Sequence, residues 1–82
     1  MKRVEIKDFV NNVIEREHGK ELEENDLFTQ CQIDSFGYAL LWLEIAQEYK
    51  CVTVDYVNTI DYKTYRLIDL IDYIERNHND AC

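Results

Sequence analysis

The chain has no proline, only two glycines and no linker-like stretch. Internal repeats and low-complexity tracts are also missing. We therefore expect residues 1–82 to form a single domain. A domain of this size buries only about 60% of the surface of its unfolded chain, which leaves no room for a deep, enclosed active site. We expect no enzymatic activity from the chain itself.

Long apolar runs are missing as well. The longest extends from Tyr38 to Leu43, far short of the roughly 20 residues that cross a bilayer. Met1-Lys2-Arg3 leads into alternating charge and not into the apolar core of a signal peptide. The sequence therefore predicts neither a membrane protein nor an exported one, and favours a cytoplasmic location.

Basic residues are scarce, with 9 Lys and Arg against 17 Asp and Glu and a net charge of −8. Nucleic-acid binding requires a concentrated basic face, so the composition excludes it and favours a basic protein partner. Residues 21–49 hold seven of the acidic residues and no Lys or Arg. We expect this local charge to steer a basic partner at low ionic strength.

Residues for metal binding or catalysis are few. The three cysteines are an odd number without CxxC spacing, which excludes a disulfide framework and a zinc knuckle. Cys31 and Cys51 are expected to be small buried hydrophobic residues, whereas Cys82 is expected to be a terminal thiol. His18 and His78 are expected at helix ends, where imidazole is usually solvated. No GxSxG motif, calcium loop or metal-ligand spacing is present.

The first predicted helix runs from Val4 to about Glu17, because its apolar residues repeat at spacings of three and four, and it ends at His18-Gly19. Its apolar stripe consists of Ile6, Phe9, Val10, Val13 and Ile14. Between residues 20 and 34 the periodicity is lost. The apolar anchors of this segment are Leu22, Leu27, Phe28 and Ile33. A loop of this length is uncommon in a compact domain and is often functional.

The central helix is predicted from Phe36 to Tyr49, with either Asp34 or Ser35 as its N-cap. The face assigned to the core carries Tyr38, Leu41, Trp42, Ile45 and Tyr49. The opposite face is also apolar and carries Phe36, Ala39, Leu40 and Leu43. Packing needs only one apolar face, so the second is covered by the long loop or binds a partner, and we favour a partner. The expected partner-binding residues are Phe36, Leu40, Leu43 and Glu44.

The rest of the chain predicts an extended connection at 52–54, a short helical turn at 55–58 and a final helix. Thr64 is expected to cap that helix, which ends near Asn77. Its buried stripe consists of Leu67, Leu70, Ile71 and Ile74, with Ile68 at the edge. The predicted fold class is therefore all-α, with three main helices, one short helix and a long loop between the first and second helices.

This layout resembles the acyl carrier protein family, which includes the aminoacyl and peptidyl carriers. The segment Ile33-Asp34-Ser35-Phe36-Gly37 is similar to the Asp-Ser-Leu motif that opens the family's second helix after a long loop. The segment Tyr62-Lys63-Thr64-Tyr65 and the apolar stripe after it resemble the family's closing helix. The resemblance covers essentially the whole chain and implies an acyl-carrier-like four-helix bundle.

The resemblance implies that Ser35, next to Asp34, is the attachment point for 4′-phosphopantetheine, which a phosphopantetheinyl transferase transfers from coenzyme A. The thiol of this arm would hold an acyl or aminoacyl group as a thioester. The implied partners are that transferase, a loading ligase, and downstream transferases or synthases, with the carrier itself a monomer. A phosphate ester at Ser35 would also lie at a helix N-terminus, where free amides and the macrodipole favour negative charge.

Two departures from the family pattern bear on its role. The residue after the serine is usually Leu but is Phe36 here, and Gly37 weakens the first helical turn. Leu40 and Leu43 occupy positions where carriers of primary fatty-acid synthesis tend to be polar or charged. We therefore expect a carrier that docks through apolar contacts and serves a dedicated biosynthetic pathway.

Two further expectations concern cargo and function class. Tyr38, Trp42 and Tyr49 are expected to fill the space that a long acyl chain would need, which favours a short or polar cargo. The alternative function is that of a small acidic helical adaptor protein without a prosthetic group, which accounts equally well for the charge and the second apolar face.

Overall fold

The computed structural model describes residues 3–81, with the side chains of residues 3–77. The helices of this part of the chain are α1 (Arg3–Arg16), α2 (Ser35–Glu48), α3 (Val54–Val57) and α4 (Leu67–Ala81). A short 3-10 helix, Phe28–Cys31, lies between α1 and α2. Residues 3–81 contain no β-strand, so the all-α fold with three long helices and one short one is confirmed. Two predictions, on Cys82 and on the His78 side chain, lie outside the described residues.

The core is formed by the apolar faces of α1, α2 and α4, as the helical spacing predicts. The buried residues of these faces are Ile6, Val10, Val13, Ile14, Leu41, Trp42, Ile45, Leu67, Leu70, Ile71 and Ile74. Phe9 and Tyr38 pack against this core but are only partly buried. The predicted burial of Cys31 and Cys51 is confirmed. None of the described helices is long and apolar enough to cross a bilayer.

Helix α1 ends at Arg16, and the predicted stop at His18-Gly19 forms the turn that follows it. His18 adopts a left-handed backbone conformation with φ of 63°, and the Gly19 N–H donates to the Ile14 carbonyl at 2.9 Å. A Cβ atom on Gly19 would lie 2.4 Å from Cγ2 of Ile33 and 2.7 Å from Cγ2 of Ile14. Glycine is therefore required here because the end of the long loop crosses against α1.

The long loop is anchored by polar contacts in addition to its apolar residues. The amide of Asn11, a buried side chain of α1, donates from Nδ2 to the Leu22 carbonyl at 2.9 Å and accepts the Leu22 N–H on Oδ1 at 2.8 Å. Glu23 forms an ion pair with Lys7 at 2.8 Å. These contacts hold the first half of the loop along α1.

The middle of the loop, residues 24–27, completes the start of α4. An isolated antiparallel bridge pairs Leu27 with Arg66. Carbonyl oxygens of the loop also accept the first amides of α4, from Leu67 to Asp26 at 3.1 Å and from Ile68 to Glu24 at 2.8 Å. Backbone carbonyl groups of the loop thus accept hydrogen bonds from the first N–H groups of α4, which a capping side chain would otherwise accept.

The predicted bounds of the last helix are wrong at both ends. Thr64 does not cap α4, which starts at Leu67; the Thr64 hydroxyl donates to the Asp61 carbonyl at 3.4 Å within a turn. The Arg66 N–H is instead accepted by Asp69 Oδ2 at 2.9 Å. The helix also continues past Asn77 to Ala81, because no glycine or proline interrupts it.

Candidate functional site

The start of α2 is fixed by Asp34. This residue has an extended backbone, and its Oδ1 accepts the Gly37 N–H at 2.7 Å. Of the two candidate N-caps, Asp34 and not Ser35 therefore fills the role. Ser35 is the first residue of α2 and is exposed, and it is the only serine in the chain. Because Asp34 provides the cap, the Ser35 hydroxyl is not used for that purpose.

Gly37 has a packing role at this helix start. It is buried in the first turn of α2. A Cβ atom at this position would lie 3.2 Å from Oδ1 of Asp34 and 3.3 Å from Cβ of Ile33. The glycine thus lets the end of the loop lie close against the helix. From the sequence, the only expected effect of Gly37 was a weaker first helical turn.

An apolar cavity of about 430 Å³ lies next to Ser35. Its exposed rim is formed by Thr29, Ser35, Ala39 and Tyr62. Its deeper wall is formed by Tyr38, Trp42 and Val57. The cavity lies between α2, the short α3 and the turn before α4. The Ser35 hydroxyl lies on its rim, and the aromatic rings of Tyr38 and Trp42 line its interior.

Tyr38 is held in the cavity wall by its hydroxyl group. The hydroxyl donates to the Phe28 carbonyl and accepts a hydrogen bond from Cys31 Sγ at 3.4 Å. Burial raises the pKa of Tyr38 above its ordinary value of 10.0. Tyr62 packs against this ring from the rim, with centroids 6.1 Å apart. Tyr38 is therefore a neutral, oriented part of the wall.

Trp42 is the largest side chain of the cavity wall, and its polar atom is unusual. The indole ring packs against Phe28 with centroids 5.3 Å apart and against Tyr65 at 6.3 Å. Its Nε1 is buried and has no hydrogen-bond partner among the described residues. A buried donor left without an acceptor costs about 1–3 kcal/mol, and most buried polar groups in proteins avoid that cost.

A second apolar cavity, of about 240 Å³, adjoins the first along the groove between α2 and α3. Both cavities are bordered by Ala39, Trp42 and Val57. The second extends the groove to Leu43 and Val54. Apolar space therefore lies against the indole on the Ser35 side and on the α3 side.

No known protein family, curated protein or solved structure matches the chain. Ser35 offers a hydroxyl nucleophile, and the neighbouring Asp34 carboxylate already accepts an amide hydrogen at the cap. A serine hydroxyl is a weak nucleophile without an adjacent general base. Among residues 3–77, no group of His, Cys, Asp and Glu side chains is placed to hold a metal ion.

The aromatic residues expected to fill the core are buried to different extents. Trp42 is buried in the core and Tyr38 is partly buried against it, and both also line the cavity. Tyr49 packs edge-on against Phe9 of α1, with centroids 5.6 Å apart. These three side chains therefore occupy the core as expected, while apolar space lies next to Tyr38 and Trp42 on the Ser35 side.

The expected partner-binding face is only partly free. Phe36 is 71% exposed and Leu43 is 54% exposed, whereas Leu40 is half-buried. Glu44 forms an ion pair with Arg16 of α1 at 2.8 Å. The exposed apolar surface continues onto α3 through Val54, which is 75% exposed. The exposed apolar residues of α2 and α3 available for docking are thus Phe36, Leu43 and Val54, and Val54 had not been predicted.

The acidic segment 21–49 is partly neutralised by bases from α1. Its ion pairs with α1 are Glu23 with Lys7, Glu24 with Arg3 and Glu44 with Arg16. Segment 21–49 contains no Lys or Arg of its own, but in the folded chain Arg3, Lys7 and Arg16 of α1 pair with three of its acidic side chains. The expected steering by this segment is therefore weaker than the count suggests.

Three cavity residues, Thr29, Val57 and Tyr62, were missed at the sequence level. They lie in the 3-10 helix, in the short α3 and in the turn before α4, respectively. These segments are too short to show an apolar period. Nothing in the sequence marks the three residues as neighbours, since only the packing of the loop brings them together.

Proposed function

We propose that the chain is a carrier protein of the acyl carrier type, with 4′-phosphopantetheine attached to Ser35. The thiol of that arm holds an acyl or aminoacyl group as a thioester and presents it to partner enzymes. The single observation that carries the proposal is the position of the only serine, exposed at the first residue of α2 on the rim of an apolar cavity. The order of one helix, a long loop, a second helix, a short helix and a last helix also supports it.

The helix start suits a phosphodiester at this position. Asp34 accepts the amides of Gly37 and Tyr38 at 2.7 and 2.9 Å. Among the described residues this leaves the amides of Ser35 and Phe36 for a phosphate on the serine. The N-terminal end of the helix dipole stabilises the same charge.

The chain does not load itself in this proposal. A phosphopantetheinyl transferase supplies the arm from coenzyme A, a ligase loads the cargo, and transferases or synthases consume it, all in the cytoplasm. The tether raises the effective concentration of the cargo at whichever active site has docked the monomeric carrier. The exposed Phe36, Leu43 and Val54 on α2 and α3 favour docking through apolar contacts in a dedicated pathway.

Mass spectrometry tests the proposal directly. The folded protein is incubated with coenzyme A and a broad-specificity phosphopantetheinyl transferase. We expect a gain of one phosphopantetheine that is lost in Ser35→Ala. Thr64→Ala is the matched control, because it also removes an exposed hydroxyl but lies outside the cavity. Absence of the gain on the folded wild-type protein contradicts the carrier function and favours the adaptor alternative.

A further inference from the structure

The chain has only two glycines, and both lie against the side chain of Ile33. A Cβ atom on Gly19, just after α1, would lie 2.4 Å from Ile33 Cγ2. A Cβ atom on Gly37, in the first turn of α2, would lie 3.3 Å from Ile33 Cβ and 3.6 Å from its Cδ1. A larger residue at either position would crowd Ile33. This one side chain therefore joins the end of α1 to the start of α2.

Hydrogen bonds on both sides of Ile33 fix the same segment. Before it, the Cys31 carbonyl accepts the Lys20 N–H at 2.7 Å. After it, Asp34 accepts the Gly37 N–H on Oδ1 at 2.7 Å. Ile33 is therefore tied to the chain that follows α1 through the residues before it, and to α2 through the residue after it.

Gln32, immediately before Ile33, has a strained backbone. Its φ is 60°, in the left-handed region that residues other than glycine rarely adopt. A strained conformation of this kind persists only where the surrounding structure over-determines it. The contacts of Ile33 with both glycines supply such a constraint directly after Gln32.

We infer that Ile33 positions Ser35 for transfer of the phosphopantetheine arm. This inference rests on the proposed attachment of that arm to Ser35. In the transfer, Ser35 Oγ bonds to the phosphorus next to the pantetheine and the pyrophosphate bond of coenzyme A breaks. Adenosine 3′,5′-bisphosphate leaves, and the hydroxyl proton passes to a base of the transferase. Such an attack requires a near-attack geometry, and a misplacement of roughly 1 Å lowers the rate by about 100-fold.

The Asp34 cap alone does not set the position of Ser35 relative to the rest of the domain. The cap bond joins Asp34 to Gly37 and so lies within one turn of α2. Ile33, in contrast, links that turn to the end of another helix. Loss of the Ile33 side chain is therefore expected to leave α2 capped while Ser35 shifts relative to α1.

The test measures kcat and KM for arm transfer from coenzyme A by a broad-specificity phosphopantetheinyl transferase, with the product followed by mass. In Ile33→Ala we expect kcat to fall about tenfold and KM for the carrier to change by less than about twofold. Ile33→Val keeps Cβ and both Cγ atoms, so we expect its kcat to stay within about twofold of wild type.

Ile33→Leu is a second variant that keeps the side-chain volume. It moves the branch away from Cβ and so removes the methyl group nearest to Gly19. We expect its kcat to fall as in Ile33→Ala. Circular dichroism shows whether each variant is folded, and Ile33→Leu decides the matter if Ile33→Ala is not.

Ile74→Val is the control for general loss of stability. Ile74 is a buried side chain of α4 and is not among the nearest neighbours of either glycine. Shortening it destabilises the fold and lowers the folded fraction. A smaller folded fraction raises the apparent KM, but saturating carrier still gives the wild-type kcat. We therefore expect kcat to be unchanged in this variant.

The outcomes separate the positioning role from the carrier function. Modification of the wild-type protein with an unchanged kcat in the folded Ile33 variants overturns the positioning role and leaves the carrier function standing. An equal fall of kcat in Ile33→Val or in Ile74→Val also overturns it, because the contacts with the glycines are then not the cause. Absence of modification in the wild-type protein contradicts the carrier function, and the positioning role falls with it.

Discussion

The Asp34 carboxylate accepts the Gly37 amide hydrogen at 2.7 Å. This bond sets the first turn of α2 and places the hydroxyl of the intervening Ser35 outside the cap. Asp34 and Ser35 are both good N-cap residues by type, but they have different roles here. Asp34 stabilises the helix, and Ser35 stays available for chemistry.

Removing the cap tests that division. We expect Asp34→Ala to lower the free energy of unfolding by about 1 kcal/mol and Asp34→Asn to lower it much less, because Asn also caps well. Ser35→Ala is expected to leave stability within about 0.5 kcal/mol of wild type, as for an exposed residue without a capping bond. Urea unfolding monitored by circular dichroism measures all three. An equal loss in Ser35→Ala would show that the serine also caps the helix.

The Asn11 amide is expected to be a main support of the long loop. Asn11→Leu removes both hydrogen bonds to the buried Leu22 backbone and leaves two backbone groups unpaired, so we expect a loss of roughly 2–4 kcal/mol. Asn12→Leu is the matched control, because Asn12 is an exposed neighbour on α1. Chemical denaturation compares the two variants, and similar losses would contradict the anchoring role.

The two glycines are expected to respond differently to the same substitution. In Gly19→Ala the new Cβ would lie 2.4 Å from Ile33 and 2.7 Å from Ile14, so we expect a loss of about 1–3 kcal/mol. In Gly37→Ala the contacts of 3.2 and 3.3 Å are milder, and a gain in helix propensity of up to about 1 kcal/mol offsets them. Thermal unfolding of both variants checks the difference. A larger loss in Gly37→Ala would reverse this ranking.

Alkaline pH is expected to destabilise the fold. Burial is the main cause that raises the pKa of Tyr38, Tyr56 and Tyr65 above the ordinary value of 10.0. The folded state therefore favours the neutral phenol. This contribution is fully present below pH 10 and is lost progressively as the pH rises above it.

Urea midpoints at about pH 8 and about pH 11 measure this effect, the two values lying on either side of the ordinary tyrosine pKa. Tyr65→Phe keeps the ring but removes one titrating hydroxyl, so we expect its midpoint to fall less than that of wild type over this range. An equal fall in both proteins would assign the pH dependence to other groups.

The exposed apolar surface is expected to determine loading by the partner ligase. Leu43→Glu and Phe36→Glu should leave stability nearly unchanged, because both side chains are mostly exposed, but should slow loading about tenfold or more if each removes a contact of about 1.4 kcal/mol. Val4→Glu is the control: Val4 is 58% exposed on α1, away from Ser35. Leu40 is less suitable for this test because it is half-buried. Unchanged loading in both variants would contradict apolar docking.

The long helices were predictable because each carries an apolar period that one sequence window contains. Apart from Phe9, which is only partly buried, the stripes Ile6–Ile14 and Leu67–Ile74 are buried as expected. Helix α1 ends at Arg16, just before the predicted stop at His18-Gly19. The choice between Asp34 and Ser35 as cap was not predictable, since both side chains suit the position. Backbone geometry alone decides it.

The start of α4 and the cavity depend on contacts between distant segments. The amides of Leu67 and Ile68 are accepted by carbonyls of Asp26 and Glu24, and a carbonyl group leaves no trace in the sequence. The sequence therefore favoured Thr64 as the N-cap of α4, but the helix starts at Leu67 and Thr64 does not cap it. Val57 and Tyr62 were not predicted as cavity residues for the same reason, because only contacts between distant segments place them at the cavity.

The pairing of the loop with the start of α4 also governs how the chain folds during synthesis. Glu24 and Asp26 leave the ribosome well before Leu67 and Ile68, whose amides their carbonyl groups accept. Helix α1 can form locally, whereas the loop gains these partners only after residues 67 and 68 have been synthesised. The loop that leads to Ser35 is therefore fixed only when α4 begins to form.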